Sequence, residues 1–206
     1  MERYGERKKN AAGDLREARG EGGSKKNRKR RMKTQDMMYI ALTAAVTAVS
    51  AWISIPAAVP FTLQTFAVCL TAGLLGAKRG TASIGIYLFL GLIGIPVFSG
   101  FRGGIGVLLS NTGGYLAGFI LTTLIVGLCA DRFGRKLPAL VVSMTAGVAV
   151  CYAFGTAWYL FLYMRNTGPI GLGTVLGTCV IPFILPDLAK IVAAAVLAKR
   201  LHRLVR

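Results

Sequence analysis

Long apolar stretches, separated by short polar or glycine-rich ones, fill the chain from residue 37 to about residue 200. A helix needs about 20 apolar residues to cross the hydrocarbon core of a bilayer, with a range of roughly 17–25. Proline removes a backbone donor, and Pro56 and Pro96 close two of these stretches. The pattern predicts six membrane-spanning helices, at residues 37–55, 61–77, 81–95, 108–130, 137–164 and 171–198, the last one broken by Pro182 and Pro186.

The charged residues are concentrated at the start of the chain. The protein has 206 residues, of which 54% are hydrophobic, yet its formal net charge is +17. Residues 1–36 hold 13 of the 25 Lys and Arg and 6 of the 8 Asp and Glu. Because this segment has almost no large apolar side chains, we expect a disordered basic tail, and its densest stretch, 25–33, could contact anionic lipid headgroups. The basic charge forms no patch on a polar domain, which argues against nucleic-acid binding.

The remaining basic residues predict the orientation in the membrane. Cytoplasmic loops are enriched in Lys and Arg. Six spans with both termini inside put 22 basic residues on the cytoplasmic side, and only Arg102 and Arg165 outside. The sequence therefore predicts an all-α, multi-pass protein of the cell membrane, in which a cytoplasmic tail (1–36) precedes a six-helix domain (37–200) with an outward-facing site. A basic cytoplasmic C-terminus (201–206) follows.

Asp187 and Lys190 are the two charged residues within the predicted spans. A charge near the bilayer centre costs at least about 2.5–3.5 kcal/mol on insertion scales. Their i, i+3 spacing puts both on one helix face, either as a self-neutralising pair that holds the bundle together or as a ligand site. At about 1.5 Å per residue, Asp187, Gln64 and Tyr115 all lie about 20–24 Å from the cytoplasmic ends of their spans. Convergence at one depth favours a ligand cavity.

A glycine-rich segment, residues 96–115, adjoins this level. Six of its twenty residues are glycine, and non-helical backbone at membrane depth is tolerated only where it is buried in protein or lines a cavity. The segment is either a flexible external loop or a ligand-facing lid, and Phe98, Phe101 and Arg102 favour the lid.

Small residues recur on the first predicted span, where Ala41, Ala44, Ala45 and Ala48 form a small-xxx-small pattern. Such a pattern lets helices approach closely. It serves either internal packing or docking of another membrane protein.

The sequence lacks the residue constellations of an enzyme. The four cysteines, Cys69, Cys129, Cys151 and Cys179, stand singly in apolar stretches, which predicts a packing role rather than a metal site. No phosphate-binding Walker loop occurs. We therefore expect no metal and no cofactor, and we expect ATP to be used by another chain.

Five segments together resemble a known family: PFTLQTF at 60–66, GIPVFSG at 94–100, GGIG at 103–106, TGGYLAGF at 112–119 and PFILPDLAK at 182–190. The chain resembles BioY, the biotin-binding S component of energy-coupling factor (ECF) transporters, from residue 37 to about residue 200. It departs from the family at Ser110-Asn111, where Gly-Pro is usual.

The resemblance implies a six-helix protein with the ECF S-component fold that captures biotin from outside. It also implies a transmembrane scaffold protein and two cytoplasmic ATPases as partners, with docking at Ala41, Ala45 and their neighbours. Another vitamin, or a stand-alone membrane carrier, remains an alternative. The family's binding residues correspond to the loop around Phe98 and to Thr112, Gly113, Gly114, Tyr115, Asp187 and Lys190.

Chemical reasoning about the ligand extends this set of residues. Aromatic walls suit the ring system of biotin, and a few fixed polar groups in an apolar pocket are the usual design of a small-molecule site. Asp187 can accept the ureido N–H bonds, while Lys190 can donate to the carbonyl or pair with the carboxylate. The predicted site therefore also includes Phe61, Gln64, Arg102, Asn111 and Trp158.

Overall fold

The computed structural model describes residues 34–56 and 59–202, which are mostly helical. Two short strands, β1 and β2, pair antiparallel between the first two helices. The elements are α1 (Thr34–Trp52), β1 (Ser54–Ile55), β2 (Phe61–Thr62), α2 (Gln64–Leu92), α3 (Ile105–Leu108), α4 (Gly113–Phe133), α5 (Leu137–Asn166), α6 (Leu172–Cys179) and α7 (Ile181–Leu201). Residues 1–33 of the predicted tail, and residues 203–206 of the predicted C-terminus, lie outside the described residues.

The first predicted span differs from the structure at both ends. Helix α1 begins at Thr34, three residues early, and ends at Trp52. The apolar residues that follow form the β1–β2 hairpin, in which Ser54 pairs with Thr62 and Ile55 with Phe61. Hydropathy alone did not predict this hairpin, because its few residues continue the apolar stretches on either side.

The second and third predicted spans form one helical run, α2, which is interrupted at Gly76. Gly76 has φ 77°, a left-handed conformation that glycine adopts without steric cost. The predicted polar loop at 77–81 is therefore helical, and the chain changes direction at a single residue.

Two side chains from the end of α4 and the loop after it satisfy the backbone groups at this break. Arg135 donates from Nε to the carbonyl of Gly73 at 2.9 Å and from Nη2 to that of Leu74 at 3.1 Å. Asp131 accepts the backbone N–H of Ala77 at 2.9 Å through Oδ2. Helix ends otherwise leave such groups without partners. Asp131 thus caps the helical segment that follows Gly76.

The last predicted span is broken close to the first of its two prolines and not at the second. The break lies at Val180, between α6 and α7. Pro182 occupies the first turn of α7, where no backbone donor is needed. The prediction that Pro186 breaks the helix is wrong: Pro186 lies inside the continuous α7, where it removes one hydrogen bond without ending the helix.

Three helical stretches of the described chain are long and apolar enough to cross a membrane: Gly113–Phe133, Leu137–Asn166 and Leu172–Leu201. Helix α1 has polar residues in its first turn, and α2 carries Lys78 and Arg79 near its middle. Helix α2 packs against α4 and α7, and α4 packs against α5. Their shared interior holds the buried residues described below.

The capping role of Asp131 predicts a difference between two substitutions. Asp131→Ala removes the acceptor for the Ala77 N–H, which should cost about 1 kcal/mol, as loss of a helix N-cap does. Asp131→Asn keeps an acceptor oxygen and should retain most of that stability. Thermal unfolding of the detergent-purified protein should show a midpoint lowered by about 2–4 °C for the Ala variant only. Equal midpoints for both variants would contradict a capping role.

Candidate ligand-binding site

A pocket of about 870 Å³, including its open mouth, lies among α2, α4, α5, α7 and the loop that precedes α3. Seven residues of the predicted site line it: Gln64, Phe98, Arg102, Thr112, Tyr115, Asp187 and Lys190. Further lining residues, absent from the prediction, include Thr62, Phe119, Cys151, Tyr152, Cys179 and Phe183. Cys151 and Cys179, for which the sequence predicts a packing role, therefore also line the pocket.

Asp187 and Lys190 form a buried ion pair on one face of α7. The ammonium Nζ lies 2.8 Å from Asp187 Oδ1, and the two residues are 3% and 8% exposed. Lys190 also donates to the backbone carbonyl of Thr62 at 2.7 Å and lies 3.9 Å from the centre of the Phe61 ring. A buried pair is tolerated when further hydrogen bonds satisfy both charges, and this one has them before any ligand arrives.

The ion pair belongs to a longer chain of hydrogen bonds. Tyr152 on α5 donates to Asp187 Oδ2 at 2.5 Å. The Thr62 hydroxyl donates to Gln64 Oε1 at 3.1 Å, and Gln64 Nε2 donates to the Tyr87 hydroxyl at 2.5 Å. These hydrogen bonds therefore connect both parts of α2 with β2, α7 and α5, and all of these residues except Tyr87 line the pocket.

Thr62, Tyr87 and Tyr152, which take part in these hydrogen bonds, are absent from the predicted site. Thr62 contributes a backbone carbonyl, which no side-chain pattern reveals. Tyr152 was within reach of the depth argument, because it lies about 22 Å along α5 from Leu137, level with Asp187.

Five residues of the predicted site lie outside the pocket lining: Phe61, Asn111, Gly113, Gly114 and Trp158. Phe61 packs behind Lys190 and against Phe183, with ring centres 5.8 Å apart. Trp158 donates from Nε1 to the carbonyl of Ser110 at 3.0 Å, and a side chain at Gly114 would overlap its indole. These contacts hold residues 110–114 against α5 and so set the position of Thr112.

The loop between α2 and α3 forms an ordered wall of the pocket. Phe98 is 1% exposed and packs edge-on against Tyr87, with ring centres 5.6 Å apart. The N–H of Phe98 donates to the carbonyl of Arg102 at 2.9 Å. Phe101, at φ 55°, stacks on Trp52 of α1, whose Nε1 donates to the carbonyl of Pro96 at 2.9 Å. The loop therefore lines the pocket through Phe98 and Arg102.

Residues 25–206 match the BioY family. The chain belongs to the BioY family. The biotin transporter BioY of Thermotoga maritima is 40% identical over 171 residues, which cover 82% of this chain and 97% of that protein. The probable biotin transporter BioY of Pyrococcus horikoshii is 41% identical over 172 residues, which cover 83% of this chain and 98% of that protein.

A solved crystal structure that aligns with this chain also supports the family assignment. The crystal structure at 2.1 Å of the S-component for biotin from an ECF-type ABC transporter aligns with a TM-score of 0.75 and 28% sequence identity. The alignment covers 84% of this chain and 95% of that one. This BioY chain therefore shares its helical fold with a structurally characterised S-component over nearly the whole of that protein.

The packing of Phe98 predicts a matched pair of glycine substitutions on α2. An added Cβ at Gly91 would overlap the Phe98 ring, whereas one at Gly85 would meet no atom within 4 Å. Overpacking costs about 1–3 kcal/mol, while an unobstructed Gly→Ala change in a helix is neutral or stabilising. Gly91→Ala should lower the unfolding midpoint and speed tryptic cleavage after Arg102; Gly85→Ala should do neither. Equal behaviour of the two variants would refute the assigned position of Phe98.

Proposed function

We propose that this chain is the biotin-binding S component of an ECF-type transporter, a transport subunit rather than an enzyme. It captures biotin from outside the cell for uptake driven by ATP hydrolysis on partner subunits. The observation that carries the proposal is the buried Asp187–Lys190 pair facing an apolar pocket in a member of the BioY family.

The chemistry of the pair suits the ureido ring of biotin. In a five-membered cyclic urea each N–H lies beside the carbonyl, so one edge of the ring presents a donor and an acceptor together. Asp187 and Lys190 present an acceptor and a donor side by side, 2.8 Å apart. Lysine has three N–H donors, and Lys190 uses two of them on Thr62 and Asp187. Asp187 thus accepts from the ureido N–H, and Lys190 donates its third N–H to the carbonyl.

The apolar part of the ligand needs walls that the pocket provides. Phe98, Tyr115, Phe119 and Phe183 line it around the ion pair. A thioether ring and a hydrocarbon tail would contact these aromatic side chains, while Arg102 at the same pocket wall suits the ligand carboxylate. The remaining predicted residues, Asn111, Thr112, Gly113, Gly114 and Trp158, shape this wall.

The distribution of basic residues along the chain supports a membrane topology. We propose six spans with both termini cytoplasmic, α2 supplying two of them on either side of Gly76. Lys78, Arg79 and Arg135 then lie on the cytoplasmic side, and Arg102 lies at the outer mouth of the pocket. The counts of 22 basic residues inside and two outside support this orientation.

Helix α1 provides the docking face for the transmembrane scaffold, which in turn carries two cytoplasmic ATPases. Of the four alanines in its small-residue pattern, Ala44 and Ala48 are buried in the fold, at 4% and 8% exposure. Ala41 and Ala45 are exposed. The docking surface is therefore restricted to Ala41 and Ala45, whose small side chains allow a partner helix to approach closely.

Biotin titration of the purified protein tests the ligand assignment. Asp187→Asn and Lys190→Ala should each weaken biotin binding about 10-fold or more, because each removes a charge-assisted hydrogen bond. Lys199→Ala, on an exposed part of the same helix, should bind normally. Calorimetry with biotin, thiamine and riboflavin identifies the vitamin. Tight binding of another vitamin instead of biotin, or normal biotin binding by both pocket variants, would contradict the proposal.

Co-purification of partner subunits tests the docking face. Ala45→Trp should reduce recovery of the scaffold and ATPases several-fold while biotin affinity stays the same, since the bulky ring holds the partner helix away. Val142→Trp, at a position 69% exposed on α5, serves as the matched control and should leave recovery unchanged. Equal recovery with both variants would place the docking face elsewhere.

A further inference from the structure

We propose that Tyr152 is a positioning residue of the ligand site, whose hydroxyl fixes the direction in which the Asp187 carboxylate faces the pocket. The proposal rests on the proposed function, because it takes the ureido group of biotin as the partner of Asp187. It adds a residue on a different helix, α5, to the pair on α7.

The two carboxylate oxygens of Asp187 have different anchors. Oδ1 accepts from Lys190 at 2.8 Å, and Oδ2 accepts from the Tyr152 hydroxyl at 2.5 Å. The terminal torsion of an aspartate is broad, so one anchor on its own helix leaves the carboxylate free to rotate. A second anchor on the other oxygen fixes the plane of the group. Each oxygen keeps a free lone pair for a ligand donor.

Tyr152 is itself held firmly enough to act as such an anchor. Its ring packs against two groups of buried side chains, one that includes Tyr115 and Phe119 and another that includes Met144 and Ile191. It also lines the pocket. A side chain whose own position is set by packing can hold a binding group within the narrow limits that recognition requires.

The rest of the hydrogen-bond chain does not duplicate this anchor. Thr62, Gln64 and Tyr87 continue from the Lys190 side of the pair, through the carbonyl that accepts from the ammonium. Among the described residues, Tyr152 is the hydrogen-bond partner of Oδ2. Loss of its hydroxyl therefore leaves Lys190 in place and frees one end of the carboxylate.

Tyr152→Phe keeps the packed ring and removes only the hydroxyl. The probes are biotin and desthiobiotin, which has the same ureido ring but lacks the thioether ring. Both affinities should fall by the same factor, about 10-fold, because the lost orientation concerns the group that the two ligands share. The ratio of the two affinities should stay close to that of the unmodified protein, while the unfolding midpoint without ligand should fall modestly, because the buried Asp187 Oδ2 loses its partner.

Tyr159→Phe is the matched control, since Tyr159 lies two turns further along α5, is buried, and stacks on Tyr163 outside the pocket. It should leave both affinities unchanged. Normal biotin affinity in Tyr152→Phe would overturn the proposal. A changed ratio of the biotin and desthiobiotin affinities would also overturn it, because such a change indicates a distorted pocket wall. A parent protein that binds no biotin overturns the proposed function itself. Weakened binding in Asp187→Asn with normal binding in Tyr152→Phe overturns the positioning role alone.

Discussion

The burial of one aspartate and one lysine is the constraint on which the rest of this structure depends. Removing two charges from water costs several kcal/mol for each ion, and the cost is offset only when every oxygen and N–H finds a partner. The β1–β2 hairpin supplies the Thr62 carbonyl for Lys190, and α5 supplies the Tyr152 hydroxyl for Asp187. The hairpin and α5 are therefore arranged around two side chains on α7, which both line the pocket.

The irregular backbone at Gly76 and in the loop before α3 has polar groups that are satisfied within the protein. At the break around Gly76, Arg135 donates to the carbonyls of Gly73 and Leu74, and Asp131 accepts from the N–H of Ala77. In the loop before α3, the N–H of Gly104 donates to the carbonyl of Gly91 at 2.7 Å. The break at Gly76 is thus matched by side chains that lie far away in the sequence.

The separation of such partners along the sequence explains which features of the fold and the site could be predicted. The apolar stretches and the Asp187–Lys190 spacing are local signals that predicted most of the helices and the ion pair, whereas Thr112 was expected only from the resemblance to BioY. The break at Gly76 depends on Asp131 and Arg135, more than 50 residues further on, and a window of hydropathy contains neither. The backbone carbonyl of Thr62, which accepts from Lys190, cannot be recognised from any pattern of side chains. Tyr152 is different: its depth along α5 equals that of Asp187, so the argument that grouped Gln64, Tyr115 and Asp187 extends to it.

Helix α1 connects the pocket wall with the face proposed for docking. Trp52, in its last turn, stacks on Phe101 with ring centres 5.1 Å apart and donates to the carbonyl of Pro96. Phe98 and Arg102 of the same loop line the pocket. Ala41 and Ala45 lie two to three turns earlier on that helix, on its exposed side. The Trp52–Phe101 stack and the hydrogen bond to Pro96 therefore join the C-terminal end of α1, the helix of the proposed docking face, to the loop that lines the pocket.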